Sequence, residues 1–255
     1  WITYALLEAG RLWCRPQYTQ VGQSLGARIL REEVALIPGL GATLLPAPRG
    51  FVENQTWRLN ASYMPIQALR GIGRHSGDRA WRELVSSSVQ VIQGSAPKGF
   101  VADWIAYRKD TGFLRDEQTL GSGSYDAIRV YLWVGMLPQP DEIQVALTQH
   151  LAPMIAAAAK QAAPPETVDT QTLRMSGEGP HGFSAALLPM LSNAGLHEAL
   201  ARHRTRAEAA ALHSNRAYYN DALTLFGLGW LDGRYRFQAT GLLELKWRMS
   251  CDAPA

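Results

Sequence analysis

The sequence has few cysteines and no long apolar segment, and each shortage excludes a class of protein. Only two cysteines, Cys14 and Cys251, occur in 255 residues, so no framework of several disulfides is possible. The two could pair in an oxidising compartment, but they are far apart in sequence, and two unpaired thiols are the expectation. No run of about 18 apolar residues occurs, so we expect no helix that inserts into a membrane.

Charged residues and metal-binding patterns are also sparse. Charged residues make up 18% of the chain, and the formal net charge is +3. No Lys/Arg run with interleaved aromatic residues occurs, so we expect no nucleic-acid partner. The six histidines lack metal-ligand spacing, and there is no Gly-x-Ser-x-Gly nucleophile motif. The sequence therefore predicts neither a metal site nor a cofactor.

Apolar residues are plentiful, at 47%, and a chain of this length can bury a substantial core as one domain. Helical spacing and turn signals predict helices over 1–14, 16–34, 63–73, 78–93, 124–136, 141–162, 183–193, 195–212 and 217–230. A loop or short hairpin is predicted over 36–52, a long loop or short strands over 96–114, a loop over 164–182 and a short terminal strand over 235–237. The pattern predicts an all-α fold of paired antiparallel helices, with a few short strands in the loops.

The segment from Ser124 to Met136 places a carboxylate at the start of a helix. Ser124 is predicted as the N-cap, which puts Asp126 in the first turn, where the helix dipole favours an ionised acid. Arg129, three residues on, lies on the same face and also favours the ionised form. A carboxylate held ionised beside the ring of Tyr125 suits the general base of sugar hydrolysis. The same residues also suit an ordinary capped helix with a surface ion pair.

Aromatic residues give the second indication of function, with eight tryptophans and nine tyrosines in the chain. A sugar ring stacks its C–H face on an aromatic ring, while its hydroxyls bind polar groups. A tryptophan on a helix, however, usually packs in the core. We expect core packing for Trp13, Trp81, Trp133 and Trp247.

Several motifs follow one another along the chain, and many motifs in one order are far more specific than any one of them. They are Leu6–Trp13 (LLEAGRLW), Pro38–Gly41 (PGLG), Trp57–Tyr63 (WRLNASY), Ala96–Phe100 (APKGF), Ser124–Met136 (SYDAIRVYLWVGM), Gly182–Ala186 (GFSAA), Tyr218–Asn220 (YYN) and Leu223–Gly227 (LTLFG). From Trp1 to about Trp247, the chain resembles the family 8 glycoside hydrolases. Within the family it most resembles the periplasmic endo-1,4-glucanases that accompany bacterial cellulose synthase.

The resemblance implies a fold and a site. The implied fold is an (α/α)6 barrel, a toroid of six outer and six inner helices in which the ends of the inner helices bear the cleft. Asp126 is implied as the catalytic base, with Ser124, Tyr125 and Arg129 binding substrate around it. Other aromatic side chains are then expected to bind substrate in the cleft: Trp57, Tyr63, Tyr218 and Tyr219.

The resemblance also implies that a catalytic segment is missing. In the family, the general acid is a glutamate in an early segment followed by Asp-Gly-Asp, and neither has a counterpart in this sequence. We therefore expect residues 1–255 to be the C-terminal portion of a single catalytic domain, with an incomplete barrel and no activity alone. Other acids are present, but none lies in a matching motif: Glu53, Asp103, Asp110 and Asp116.

The implied activity is that of an inverting endo-β-1,4-glucanase acting on cellulose or cello-oligosaccharides. Its expected partner is a β-1,4-glucan, its expected location is the periplasm or the exterior, and a functional association with a cellulose synthase complex is expected. Two alternatives stay open. One is a non-catalytic remnant that binds glucan or nothing, and the other is a chitosanase or xylanase of the same family.

Overall fold

The computed structural model describes residues 1–211 and 217–247. Ten helices lie in this part of the chain: α1 (Ile2–Leu12), α2 (Pro16–Glu32), α3 (Ile66–Ser76), α4 (Ala80–Ser95), α5 (Ala127–Gly135), α6 (Glu142–His150), α7 (Ala152–Lys160), α8 (His181–Asn193), α9 (His197–Ala211) and α10 (Tyr218–Leu231). A single 3-10 turn over Ala61–Tyr63 precedes α3. The prediction of a predominantly helical chain is confirmed.

The helices form two layers. Five of them contact one another in the order α1, α3, α5, α8 and α10 and make the inner layer, with α2, α4, α6, α7 and α9 packed outside them. Helices α5 and α8 are apolar almost all round, as expected for inner helices that are covered on most sides. Gly227 of α10 lets that helix approach α8 closely, because a Cβ there would collide with the carbonyl oxygen of Ala185.

Short antiparallel strands fill the connections between helices. They are β1 (Val34–Ile37), β2 (Gly41–Leu44), β3 (Val52–Glu53), β4 (Thr56–Leu59), β5 (Ile105–Arg108), β6 (Gly112–Arg115), β7 (Ser122–Gly123), β8 (Thr167–Asp169), β9 (Met175–Ser176), β10 (Tyr235–Phe237) and β11 (Leu243–Leu245). They pair as the hairpins β1–β2 and β10–β11, a four-stranded sheet β3-β4-β5-β6 and a three-stranded sheet β7-β8-β9. The last sheet brings the loop after α7 against the start of α5.

Two predicted elements differ from the structure. The single helix expected over 141–162 is two helices, and the second begins with Pro153 in its first turn, where proline suits a helix start. The loop expected over 164–182 contains β8 and β9, which pair with β7. Strands this short carry almost no pattern of their own, so only the pairing with a distant segment defines them.

The tryptophans expected in the core divide into two groups. Trp81 and Trp133 are buried as expected, but the prediction is wrong for Trp13 and Trp247, which are 51% and 55% exposed. Trp13 follows the last residue of α1 and makes an edge contact with Tyr18. The helical pattern of the sequence includes Trp13, but the residue follows the end of α1, where no buried side chains surround it.

The cysteine expectation also fails for one residue. Cys14 is disulfide-bonded rather than a free thiol, while Cys251 lies outside the described residues. In the described ranges, no helix has both the length and the apolar character that a membrane span needs.

Candidate active site

The start of α5 presents Asp126 at the N-terminal end of an inner helix. Its side chain is 25% exposed, so solvent reaches it. The Arg129 guanidinium donates a short hydrogen bond to its Oδ1, and the Asn60 Nδ2 donates to its Oδ2 at 2.9 Å. One oxygen is thus paired with a cation and the other with a neutral amide, so both oxygens accept a hydrogen bond from a named partner.

The 3-10 turn over Ala61–Tyr63 is attached to α5 at several points. Asn60 is fully buried, and its Oδ1 accepts from the Ser62 N–H at 3.0 Å and from the Ser62 Oγ at 2.6 Å. The Ser62 Oγ in turn accepts from Arg129 at 2.9 Å, and the Ser62 carbonyl accepts from Trp133 Nε1 at 3.0 Å. These bonds fix both partners of Asp126, so the carboxylate has a defined orientation.

Tyr125 stands beside the base with an exposed ring. It is 44% exposed and packs edge-on against Phe183 and at a tilt against Tyr219, with ring centroids 5.1 and 5.5 Å away. Its hydroxyl donates to Glu166 Oε1 at 2.9 Å, and this bond first, then burial, raises the pKa of the Tyr125 phenol. The Tyr219 hydroxyl donates a short bond to the Tyr125 carbonyl. The Tyr125 ring is therefore fixed in position, and one of its sides is exposed to solvent.

On the other side of Arg129, a second ring faces the site. Tyr63 is 39% exposed, and the Arg129 guanidinium carbon lies 5.5 Å from its ring centroid. Trp104 meets Tyr63 edge-on at 6.0 Å and carries the Arg58 guanidinium over its face at 4.0 Å. The structure therefore brings Tyr63, Tyr125, Asp126, Arg129 and Tyr219 together, and their roles in catalysis and substrate binding stay predictions.

Three other candidate residues have different surroundings. Ser124 is adjacent to the site but does not cap α5, because its Oγ donates to the Glu166 carbonyl at 2.6 Å. Trp57 lies in β4 with its ring packed against Tyr107 and the core, so the structure does not bring it to the group around Asp126. Tyr218 is 89% exposed at the start of α10. Their roles in substrate binding stay predictions.

The cap of α5 comes from Asp103, a residue that sequence reasoning passed over. Its Oδ1 accepts from the backbone N–H groups of Ser124, Asp126 and Ala127. The prediction of Ser124 as the N-cap is wrong because this carboxylate already occupies the free N–H groups. Asn60 was also missed as a partner of the base. The one available signal was its place in the WRLNASY motif.

A solvent-accessible carboxylate and exposed aromatic rings together suit a hydrolytic site. Within residues 1–211 and 217–247, no cluster of histidine, cysteine and carboxylate side chains has a geometry that could hold a metal ion. A carboxylate that is ionised, solvent-accessible and fixed can accept a proton from water. Rings on both sides offer faces for a sugar. Fold and site together define a helical-toroid glycoside hydrolase.

Comparison with known proteins gives the family. The profile of glycosyl hydrolases family 8 matches residues 1–233, and the chain belongs to this family. Membership makes it a glycoside hydrolase, an enzyme class that cleaves glycosidic bonds, and confirms both the family and the enzyme class expected from the motifs.

Individual relatives agree with this assignment. An endoglucanase of Escherichia coli (strain K12) is 44% identical over 98% of this chain and 67% of its own length. One of Xanthomonas axonopodis pv. citri (strain 306) is 45% identical over 97% of this chain and 65% of its own. The chain therefore spans about two thirds of the length of these curated relatives.

A solved structure supports the fold. The endo-1,4-D-glucanase of Vibrio fischeri ES114 superposes with a TM-score of 0.89 at 39% identity, covering 97% of this chain and 72% of that one. The all-α (α/α)6 barrel class expected from the resemblance is confirmed.

Proposed function

We propose that this protein is an inverting endo-β-1,4-glucanase that acts on cellulose or cello-oligosaccharides, with Asp126 as the general base. The observation that carries the proposal is the environment of Asp126. One of its oxygens is bound to Arg129 and the other to Asn60, and the carboxylate is still partly open to water. The carboxylate is thus both oriented by its partners and within reach of a water molecule.

In this mechanism, Asp126 takes a proton from a water molecule as the water attacks the anomeric carbon. A carboxylic acid on the other side of the sugar protonates the leaving oxygen, so the configuration at that carbon inverts. Arg129 and Asn60 hold the Asp126 carboxylate in one orientation before the water arrives. Tyr125 and Tyr63 supply exposed rings on which sugar faces can stack.

The choice of substrate is supported by relatives and by the ring surfaces. The relatives in E. coli and X. axonopodis are named endoglucanases, and the V. fischeri protein is an endo-1,4-D-glucanase. We extend that substrate class to this chain. Exposed aromatic rings such as those of Tyr63 and Tyr125 suit the faces of a glucan.

The test is hydrolysis of soluble cellopentaose with product configuration followed by proton NMR. We expect the α-anomer to appear first from the β-linked substrate, and Asp126→Asn to abolish this product while the variant remains folded. Asp78→Asn is the matched control, because Asp78 is likewise an aspartate near a helix start, where it accepts from the Ala80 N–H, but it lies in the turn between α3 and α4. A β-anomer product, or normal turnover by Asp126→Asn, would refute the proposal.

The alternatives give different results in the same assay. A xylanase or chitosanase would hydrolyse xylan or chitosan faster than carboxymethyl-cellulose. A glucan-binding protein without catalysis would retain cello-oligosaccharide in a binding assay with no product. The expectation that the 255-residue chain has no turnover by itself stays a prediction, and the same measurements test it. The variants are therefore compared in a form of the protein that hydrolyses glucan.

We also propose that the enzyme acts outside the cytoplasm on glucan made by a cellulose synthase complex. An insoluble polymer is accessible to an endo-acting enzyme only where the polymer is exported. The proposal is tested by fractionating the source cells and by measuring cellulose output with and without the gene. Enzyme confined to the cytoplasmic fraction would contradict it.

A further inference from the structure

Asp103 holds the first turn of α5 through a single oxygen atom. Its Oδ1 accepts from the N–H groups of Ser124 at 2.8 Å, Asp126 at 3.1 Å and Ala127 at 2.7 Å. The N–H groups at the start of a helix have no partner within the helix, so a side-chain acceptor stabilises them. One of the three belongs to the backbone of Asp126, so the cap bonds directly to the residue proposed as the base.

The backbone that carries Asp103 is itself fixed against α5. The Asp103 N–H donates to the Ser122 carbonyl at 2.9 Å, and the Val101 N–H donates to the hydroxyl of Tyr131, a fully buried residue of α5, at 2.8 Å. Gly123 permits this approach, because a Cβ there would collide with the Val101 carbonyl oxygen. The position of the Asp103 carboxylate is therefore set by the fold and not by a mobile side chain.

We propose that Asp103 is a positioning residue for the base, which fixes the backbone of Asp126 and whose negative charge counteracts the pull of Arg129 on the Asp126 carboxylate. This inference rests on the proposed function of Asp126. A lone arginine beside a base stabilises its ionised form and weakens it as a proton acceptor. A second carboxylate nearby restores the proton-accepting strength, because the base then removes repulsion when it takes up a proton.

The charged and titratable groups around the two acids are consistent with this balance. Arg129 is the cation of α5 that faces them, and Asn60 is the neutral partner from the segment before α3. Three phenols also lie near the two acids: Tyr125 at the start of α5, Tyr131 within α5 and Tyr219 in α10. Glu166, just before β8, accepts the hydrogen bond of the Tyr125 hydroxyl.

The titration of Asp103 has the corresponding direction. Burial raises the pKa of the Asp103 carboxyl, and the nearby charge of Asp126 raises it further, against the lowering by the three N–H bonds. A hydroxyl or amide cap could accept from the same N–H groups but would carry no negative charge. Replacing the carboxylate by an amide therefore separates the effect of the charge from that of the hydrogen bonds.

The experiment measures pH–rate profiles of Asp103→Asn, with Asp78→Asn as the matched control. Asparagine keeps an oxygen for the three N–H groups and removes the charge. We expect the acid limb of kcat/KM to move to lower pH, with kcat lowered several-fold and KM nearly unchanged. The control should leave the acid limb in place. A folded Asp103→Asn variant whose acid limb does not move overturns the proposal.

A second measurement needs neither turnover nor a stable Asp103 variant. The carboxyl carbon of Asp103 is titrated by 13C NMR in the unmodified protein and in Asp126→Asn. We expect the Asp103 titration midpoint to fall in Asp126→Asn, because the repelling charge is gone. An unchanged midpoint overturns the electrostatic coupling. Normal hydrolysis by Asp126→Asn would instead refute the assignment of the base and leave the coupling between the two carboxyls measurable, so the two failures can be told apart.

Discussion

Two helices of this protein carry the same local pattern, an acid followed three residues later by an arginine, and the two pairs have different surroundings. In α1, the Glu8 side chain is only 3% exposed, and Arg11 bonds to it. At the start of α5, the Asp126 side chain is 25% exposed, and Arg129 bonds to it. The spacing is identical, so the difference arises from what the rest of the chain brings to each acid.

Glu8 is surrounded by donors from distant segments. Its Oε2 accepts from Arg11 and from the Leu243 N–H at 2.9 Å, and its Oε1 is paired with His75 Nε2 at 2.7 Å. It thereby joins α1 to α3 and to the hairpin β10–β11. Asp126 has an arginine and an amide and an opening to solvent. An acid whose oxygens are saturated and buried holds a fold together, whereas an acid left partly open can exchange a proton.

Removing the base should give the largest effect in this comparison. In a form of the protein that hydrolyses glucan, Asp126→Ala should lower kcat by about 10²–10⁴-fold. Added azide should restore turnover and yield the α-glycosyl azide, because this anion attacks without giving up a proton. Glu8→Gln should keep kcat within about two-fold while folded, since Glu8 accepts no proton in catalysis. Azide without effect on Asp126→Ala would contradict the role of Asp126.

Removing the structural acid should change stability instead. Glu8→Gln leaves Arg11 and His75 without their anion, so the free energy of unfolding should fall by about 2–3 kcal/mol. For a chain of this size, that corresponds to a fall in melting temperature of roughly 5–10 °C. The matched control is Glu83→Gln, which breaks an exposed pair with Arg79 and should cost under about 0.5 kcal/mol. Equal losses in the two variants would show that burial does not distinguish them.

Acid should remove the contribution of Glu8 progressively. Burial raises the pKa of the Glu8 carboxyl, but the hydrogen bonds from His75, Arg11 and the Leu243 N–H outweigh burial, and the net pKa in the folded protein lies below the ordinary value. The stabilisation is therefore present above the unfolded pKa of about 4.3 and is lost as pH falls through the folded pKa. Urea denaturation should show the gap between wild type and Glu8→Gln constant from neutral pH to about pH 5 and smaller below it. A gap that widens on acidification would reverse the assigned sign.

The smallest expected effect is that of the ring beside the base. Tyr125→Ala should weaken cello-oligosaccharide binding by about 3–10-fold, because a stacked ring is worth about 1 kcal/mol, and should leave kcat close to normal. Tyr125→Phe is the paired control, since it keeps the ring and loses only the hydrogen bond to Glu166. Calorimetric titration distinguishes the two. Similar losses for both variants would assign the effect to the hydroxyl and not to stacking.

The site could be predicted in part because part of it is local. Asp126 and Arg129 are one helical turn apart, so the period of the helix alone puts them on one face. Asn60 and Asp103 come 66 and 23 residues before Asp126, from a segment before α3 and a loop before β5. No periodicity connects such positions. The N-cap prediction failed for the same reason. Ser124 has the right chemistry for an N-cap, but the carboxylate of Asp103, distant in sequence, accepts from these N–H groups instead.

The sequence by itself determined the helical content, the family and the pair Asp126–Arg129, because these depend on hydrophobic period, motif order and spacing within one turn. Spacing alone did not reveal the different surroundings of Glu8–Arg11 and Asp126–Arg129, and helical periodicity did not show that Trp81 is buried and Trp13 exposed. Tertiary structure determined these differences, because it sets which side chains have hydrogen-bond partners and which are exposed to solvent. Desolvation and hydrogen bonding act through space, and they determine whether a carboxylate holds the fold together or stays open to water.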